Sequence, residues 1–311
     1  MNLTKTLPQN VALLAVVCLS AQAGYLITDD FNYNTTTGGT GMTGYGYLMN
    51  PTSGGTGWDG SWGASTGTKT GVLCTAPTDG STTTMVHGTV IGPNLTYSGG
   101  GYNIVQTGNG MAVTVEGIDA WRGINRYIHT TPGTAGGVTG TVWFSFLMAV
   151  DSSQPFNAVQ FNTHTDTPYG GDDYTRGSDG ARMEVGINGD EVNGNKLRLT
   201  CGGTDLLGSV LTVGRTHLII GQLVVGTGSD TITVWADPAD INHLGTGLTG
   251  SVDIGDSLYL VGLGGYNYSA DNVYATYDAL RISDAYTNVV PEPASLVLLA
   301  LGGALFLRRR R

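Results

Sequence analysis

Between residues 24 and 289 the apolar positions come in short runs separated by clusters of Gly, Asn, Asp and Ser, and no stretch repeats at the helical period. Runs rich in Val, Ile, Thr, Tyr and Trp predict strands at Met111 to Val115, Gly123 to His129, Thr139 to Val150, Phe156 to Phe161 and Arg182 to Ile187. The series continues with Lys196 to Thr200, Thr216 to Val225, Thr231 to Ala236, Ser257 to Leu263 and Tyr277 to Ser283. Alternation sets their faces: Ile232 and Val234 share one side of their run, Leu197 and Leu199 one side of theirs, and these sides should form the core. Between the runs, segments such as Gly186-Ile187-Asn188-Gly189-Asp190 supply the positive φ and local side-chain bonds that turns need. Strands at this spacing describe an all-β fold, an antiparallel β-sandwich of the jelly-roll kind. Thr35 to Ser98 is the least regular part and reads as long loops over the sandwich; Tyr45, Tyr47, Trp58 and Trp62 argue against plain disorder there. Trp143 and Trp235, in strongly apolar strands, are expected in the core, and His129 and His217 on strand surfaces.

The two ends follow different patterns. Residues 1–23 read as an export signal: Lys5 in a short polar region, an apolar run from Val11 to Leu19, and Ala21-Gln22-Ala23 as a small-x-small cleavage site, which places the mature start at Gly24. At the other end, Pro291, Glu292 and Pro293 precede an apolar or small stretch to Leu307, and Arg308, Arg309, Arg310 and Arg311 follow. Such a stretch is at the short edge of what crosses a hydrocarbon core, and the four cations resist translocation, so it should stop with its tail in the cytoplasm. A terminal helix docked on the domain has no use for four arginines, and a GPI signal normally ends without them. The chain thus divides into a signal peptide (1–23), one sandwich domain (24–289) and a C-terminal hydrophobic sorting helix (290–311).

This terminal constellation resembles the PEP-CTERM sorting signal of Gram-negative bacteria, recognised by a membrane protease of the exosortase type. The resemblance implies removal of the tail near Pro291-Glu292-Pro293 and a product at the cell surface or outside, transiently anchored in the membrane. A second resemblance spans the domain. Asp29-Asp30-Phe31-Asn32-Tyr33, Gly54 to Trp62, Thr231 to Pro238 and Tyr277 to Ser283 look like the pattern of exported laminin G-like, concanavalin A-like jelly-roll proteins that often end in such tails. It implies a fold more firmly than a function.

Charge narrows the partners. The chain carries 14 basic and 24 acidic residues, a net charge of −10. Without Lys5, the terminal arginines and Glu292, nine basic and 23 acidic residues remain, so the exported domain carries −14. This argues against nucleic acid and anionic membrane surfaces as partners and leaves room for divalent cations.

Catalytic patterns are thin. Retaining glycosidases need two carboxylates about 5–5.5 Å apart. Jelly-roll members of that kind carry them on one strand, whereas Glu116, Glu184 and Glu191 are the only glutamates before the tail and none sits in that spacing. Gln160, His164, Tyr169 and Arg126 could be imagined in a lyase role, but no lyase-type motif is present. Neither a serine-nucleophile elbow, nor a zinc His pair, nor a phosphate loop appears. Calcium is the best-matched ligand, because acidic, Gly-rich loops offer the oxygens it needs. One candidate is the loop with Asp166, Asp172, Asp173 and Asp179; the other is Asp29 or Asp30 meeting Asp278 where first and last strands close. The alternative in both places is solvated acids or Asx turns. Trp58 and Trp62 are candidates for a sugar-stacking platform, with aromatic anchoring as the alternative. Cys74 and Cys201 either form one disulfide in an oxidising compartment or stay as two buried thiols.

The expectation is an exported surface or matrix protein, non-enzymatic, in contact with polysaccharide. The alternative is a carbohydrate-active lyase or hydrolase on the same scaffold.

Overall fold

The computed structural model describes residues 26–31, 55–63, 88–92, 94–105, 110–115, 120–128, 137–150, 156–161, 183–188, 195–240, 242–258, 260–267 and 273–290. Among them the strands are β1 (Leu26–Asp29), β2 (Trp58–Gly63), β3 (Gly88–Gly92), β4 (Thr96–Gly99), β5 (Tyr102–Val105), β6 (Gly110–Val115), β7 (Ala120–Ile128), β8 (Gly140–Val150) and β9 (Phe156–Phe161). They continue as β10 (Met183–Asn188), β11 (Lys196–Cys201), β12 (Thr204–Val210), β13 (His217–Val225), β14 (Asp230–Ala236), β15 (Leu248–Val252), β16 (Leu260–Asn267) and β17 (Val273–Ser283), and one helical turn, α1 (Tyr286–Val289), follows.

Two antiparallel sheets carry the architecture. One runs β15-β14-β13-β8-β17-β6-β3, and β1 also pairs with β17; the other runs β12-β11-β10-β9-β16-β7-β2. Along one edge of β17, β6 pairs with Val273 to Tyr277 and β1 with Leu280 to Ser283, so the first and last strands do close on each other. Between those segments β17 shifts register at Asp278 to Arg281, where Ala279 has φ +51°.

The alternation seen in the sequence decides the layers. Ile232 and Val234 of β14, Leu197 and Leu199 of β11, and Val142, Phe144, Phe146 and Met148 of β8 lie in the buried cluster between the sheets. Phe144 and Phe161 tie the sheets together with ring centroids 4.7 Å apart. Gly221 is required opposite Phe144, because a Cβ there would overlap the ring. A second apolar cluster covers the outer face of the first sheet. Leu95, Tyr97, Tyr102 and Ile104, in and just before the β4–β5 hairpin, pack on Leu147, Leu218 and Ile220, and Val289 and Val290 close the same cluster.

Each of the ten expected runs contains or overlaps a strand. The segment expected as loops is not all loop: β2, β3 and the start of β4 lie in it. These strands escape a periodicity reading because Gly and Ser occupy positions where a strand would show apolar residues. Trp143 and Trp235 are half-buried on the outer face, stacked with centroids 6.2 Å apart and packed against the second cluster, and not in the inter-sheet core. His217 is buried, not on the surface.

Candidate functional site

The corner where β1 meets β17 gathers the acids expected from the two ends. Asp29 and Asp278 are both buried, while Asp30 is exposed. Asp278 accepts hydrogen bonds from the backbone N–H of Leu95 (3.0 Å) and of Ala279 (2.7 Å), and Asp29 Oδ1 accepts one from Phe31 N–H (2.9 Å). Burial pushes the Asp278 carboxyl up to about 7 against the pull of those amides, with Asp30 and Asp29 adding repulsion. Phe31 and Ala279 both have positive φ, a conformation that costs an L-residue roughly 1–2 kcal/mol. The carboxylates of Asp29 and Asp278 therefore serve backbone corners. Among the described residues no group of three or more His, Cys, Asp or Glu is arranged to hold a metal ion. Asp166, Asp172, Asp173 and Asp179 lie outside the described residues.

A polar row crosses the second sheet on its outer face. Register aligns Asp205 of β12, Thr200 of β11, Glu184 of β10 and Gln160 of β9. Gln160 Nε2 donates to Glu184 Oε1 at 2.8 Å, and both side chains are fully buried. Asp205 pairs with Arg198 and accepts from Thr200 Oγ1 at 2.8 Å. In the next row Gly186 and Ala158 lie beside Arg198 of β11. Sequence reading weighs Gln160 for a lyase role and Glu184 only as a glutamate outside the glycosidase spacing; their pairing leaves no mark, since 24 residues separate them and no motif joins them. His164 and Tyr169 lie outside the described residues, as does the Arg126 side chain.

At the open edge of the sandwich, a cleft of about 260 Å³ lies between β12 and the β14–β15 pair, lined by Leu197, Ser209, Trp235, Leu244, Thr246 and Leu248 among others. Its walls combine an indole, hydroxyls and aliphatic groups with no charged side chain. Trp235 Nε1 donates to the carbonyl of Gly245 (3.0 Å), which fixes the loop that forms one wall. Nearby, His217 Nδ1 lies 2.6 Å from Asp237 Oδ2 and Nε2 lies 2.9 Å from the Thr212 carbonyl. A carbonyl only accepts, so Nε2 donates, and a proton must also lie between Nδ1 and Oδ2. Burial acts to raise the Asp237 carboxyl, but the bonds from His217 and Leu218 N–H hold it below its ordinary value.

The tryptophans proposed as a platform divide. Trp58 is half-buried against the main core, and its indole N–H donates to the Thr28 carbonyl at 2.9 Å, which makes it an anchor of β2 on β1. The Trp62 side chain lies outside the described residues. So does Cys74; Cys201 is a buried free thiol against Gly250, and burial pushes it up to about 11.

The last described residues are packed, not trailing. Ser145 Oγ donates to the carbonyl of Val289, Val290 N–H donates to the Tyr286 carbonyl (3.2 Å), and the Tyr286 and Tyr102 hydroxyls are 2.8 Å apart. Pro291, Glu292 and Pro293 follow at once, with the arginine cluster at the end. The chain ends in a PEP-CTERM protein-sorting motif. The match covers residues 289–311. A PEP-CTERM motif marks an exported, surface-directed protein, and everything from β1 to α1 is its cargo.

No curated protein matches the chain. Similar solved structures include the cellulose-induced protein Cip1, 13% identical over 64% of this chain and 86% of that one, with a TM-score of 0.36. They also include peanut lectin with a nine-residue peptide (11% identical, 67% and 94% covered, TM-score 0.38) and lectin II from Ulex europaeus (14%, 58% and 89%, 0.38). Among the described residues no helix is long and apolar enough to cross a membrane; residues 1–23, expected as an export signal, and the residues of the PEP-CTERM motif after Val290 lie outside them.

Proposed function

We propose that the chain is a surface or matrix protein, processed at its PEP-CTERM motif by an exosortase-type membrane protease, and that its sandwich binds polysaccharide without turning it over. The observation that carries the reading is the placement of the motif, which starts at the last packed residues of the sandwich. Polysaccharide is favoured as the ligand by the edge cleft, whose indole, hydroxyl and aliphatic walls match a neutral sugar ring and whose size admits about one. A non-enzymatic role is favoured by the engagement of both acids in the polar row, Glu184 with Gln160 and Asp205 with Arg198 and Thr200. The second reading, a lyase or hydrolase, rests on that same fully buried Gln160–Glu184 pair, since buried carboxylates are the groups enzymes tune for proton transfer.

A glycan array run beside a reducing-sugar and unsaturated-product assay separates the two. Binding without turnover, weakened at least tenfold by Gly208→Leu, which fills the cleft from an ordinary contact distance to Leu197, supports the first reading. Turnover abolished by Glu184→Gln supports the second. Binding unaffected by Gly208→Leu removes the cleft from the argument.

A further inference from the structure

The junction between sandwich and sorting motif has no linker. Val289 and Val290 are buried in the second cluster, together with Leu95, Tyr97, Leu147 and Leu218, and the Ser145 hydroxyl holds the Val289 carbonyl. Asn288 Nδ2 donates to Ser283 Oγ at 2.9 Å, so the helical turn is fastened to the end of β17 as well as to β8. Only Pro291 to Pro293 separate Val290 from the apolar stretch, a reach of about 10 Å when fully extended. Proteases bind the residues flanking a scissile bond as an extended strand, whose backbone groups pair with the cleft. Residues Tyr286 to Val290 present a helical turn with backbone groups already engaged by the fold.

We propose that the docked Tyr286–Val290 segment is a brake on processing: cleavage at the PEP-CTERM motif requires this segment to leave the outer face of the first sheet and extend. The inference rests on the sorting reading above and adds its regulation. The bond broken is a peptide C–N bond near Pro291 to Pro293, with water supplying the hydroxyl of the new carboxyl group and the proton of the new amine. The undocked state exposes Val289 and Val290 and unpairs the Ser145 hydroxyl, so it is a minor population in the folded protein, and the cleavage rate scales with that population.

The test is pulse-chase labelling of the full chain in cells that make the sorting protease, reading the loss of the tail on a blot. Inserting six Gly and Ser residues between Val290 and Pro291 leaves the docked segment and the stretch from Pro291 to Arg311 intact while supplying an extended approach. Processing at least threefold faster, with an unchanged melting temperature, is the expected result. Ser145→Ala, which weakens the dock without a linker and lies outside the motif, should accelerate processing in proportion to how far it frees the segment. An insertion variant processed at the wild-type rate overturns the brake while leaving the sorting reading standing. If neither wild type nor insertion variant is processed, and deletion of Arg308 to Arg311 changes nothing, the sorting reading fails and the brake with it.

Discussion

Asp278 should make the sandwich less stable as the pH rises through neutrality. Its carboxyl is fully buried and titrates at about 7 in the folded protein, against an ordinary value of 3.8 in an unfolded chain. Below the lower value both states hold the proton and the group contributes nothing to pH dependence. Between the two the folded state retains a proton that the unfolded state releases, so stability falls with rising pH and reaches its full loss above about 7. A difference of about three units at 1.36 kcal/mol each makes that loss on the order of 4 kcal/mol, or on the order of 10 °C in melting temperature for a domain of this size. Thermal melts of the purified protein from about pH 4 to about pH 8, beside Asp278→Asn, read it directly. The Asn side chain keeps one acceptor and no charge, so the slope should vanish. Because the Leu95 or the Ala279 amide then loses its partner, the variant should be less stable than wild type at the acid end by about 1–3 kcal/mol. An Asn variant with the wild-type slope would refute the assignment. Calcium adds a second arm: a cation bound by Asp29, Asp30 and Asp278 would restore the alkaline stability of the wild type and not of Asp278→Asn. A calcium effect that survives the substitution moves the site elsewhere, to the Asp166–Asp179 loop first.

Other substitutions probe the remaining geometry. Gly221→Ala places a Cβ inside the Phe144 ring and should destabilise by about 1–3 kcal/mol in a denaturant titration, whereas Gly226→Ala, with open space around it, should stay within about 0.5 kcal/mol. His217→Ala leaves the half-buried Asp237 without the partner that lowers its carboxyl, and a loss of about 1–3 kcal/mol in urea is expected; an unchanged midpoint would mean the pair is neutral in effect. Trp58→Phe removes the bond to the Thr28 carbonyl and trims the packing on the core, so a stability loss of about 1–2 kcal/mol with unchanged glycan binding is the expected result, and lost binding would restore Trp58 as a platform. Cys201 should resist iodoacetamide at neutral pH in the native protein and react on unfolding, read by mass spectrometry.

What the sequence shows of this molecule follows from which interactions leave a local trace. The strands of the inter-sheet core do so, because burial on one side imposes a period of two, as in Ile232 and Val234, and the sorting motif does so, because its elements are contiguous. The second cluster leaves none: Trp143, Leu147, Leu218 and Ile220 make their strands apolar on both faces, which reads as a fully buried sheet and hides the fact that a hairpin and the C-terminal turn supply the cover. Nor do cross-strand pairs, since Gln160 and Glu184 become partners only through the register of β9 and β10, and Asp278 reaches Leu95 across 183 positions.

The acids show most clearly why residue type alone misleads. Turn chemistry read from sequence looks to glycine for positive φ, yet Phe31, Asp237 and Ala279 adopt it here. Asp29 bonds the amide of Phe31, Asp278 bonds that of Ala279, and Asp237 itself is held by His217 and by the Leu218 amide. Each carboxylate thus belongs to or bonds a left-handed residue and supplies bonds that offset part of its strain, which in a chain this acidic gives buried and half-buried Asp residues a use that requires no metal. The same geometry ranks them. An Asn at 29 can make the same short-range bond to a residue two positions on, so Asp29→Asn should lose less stability than Asp278→Asn, which gives up one of two amides accepted through both oxygens.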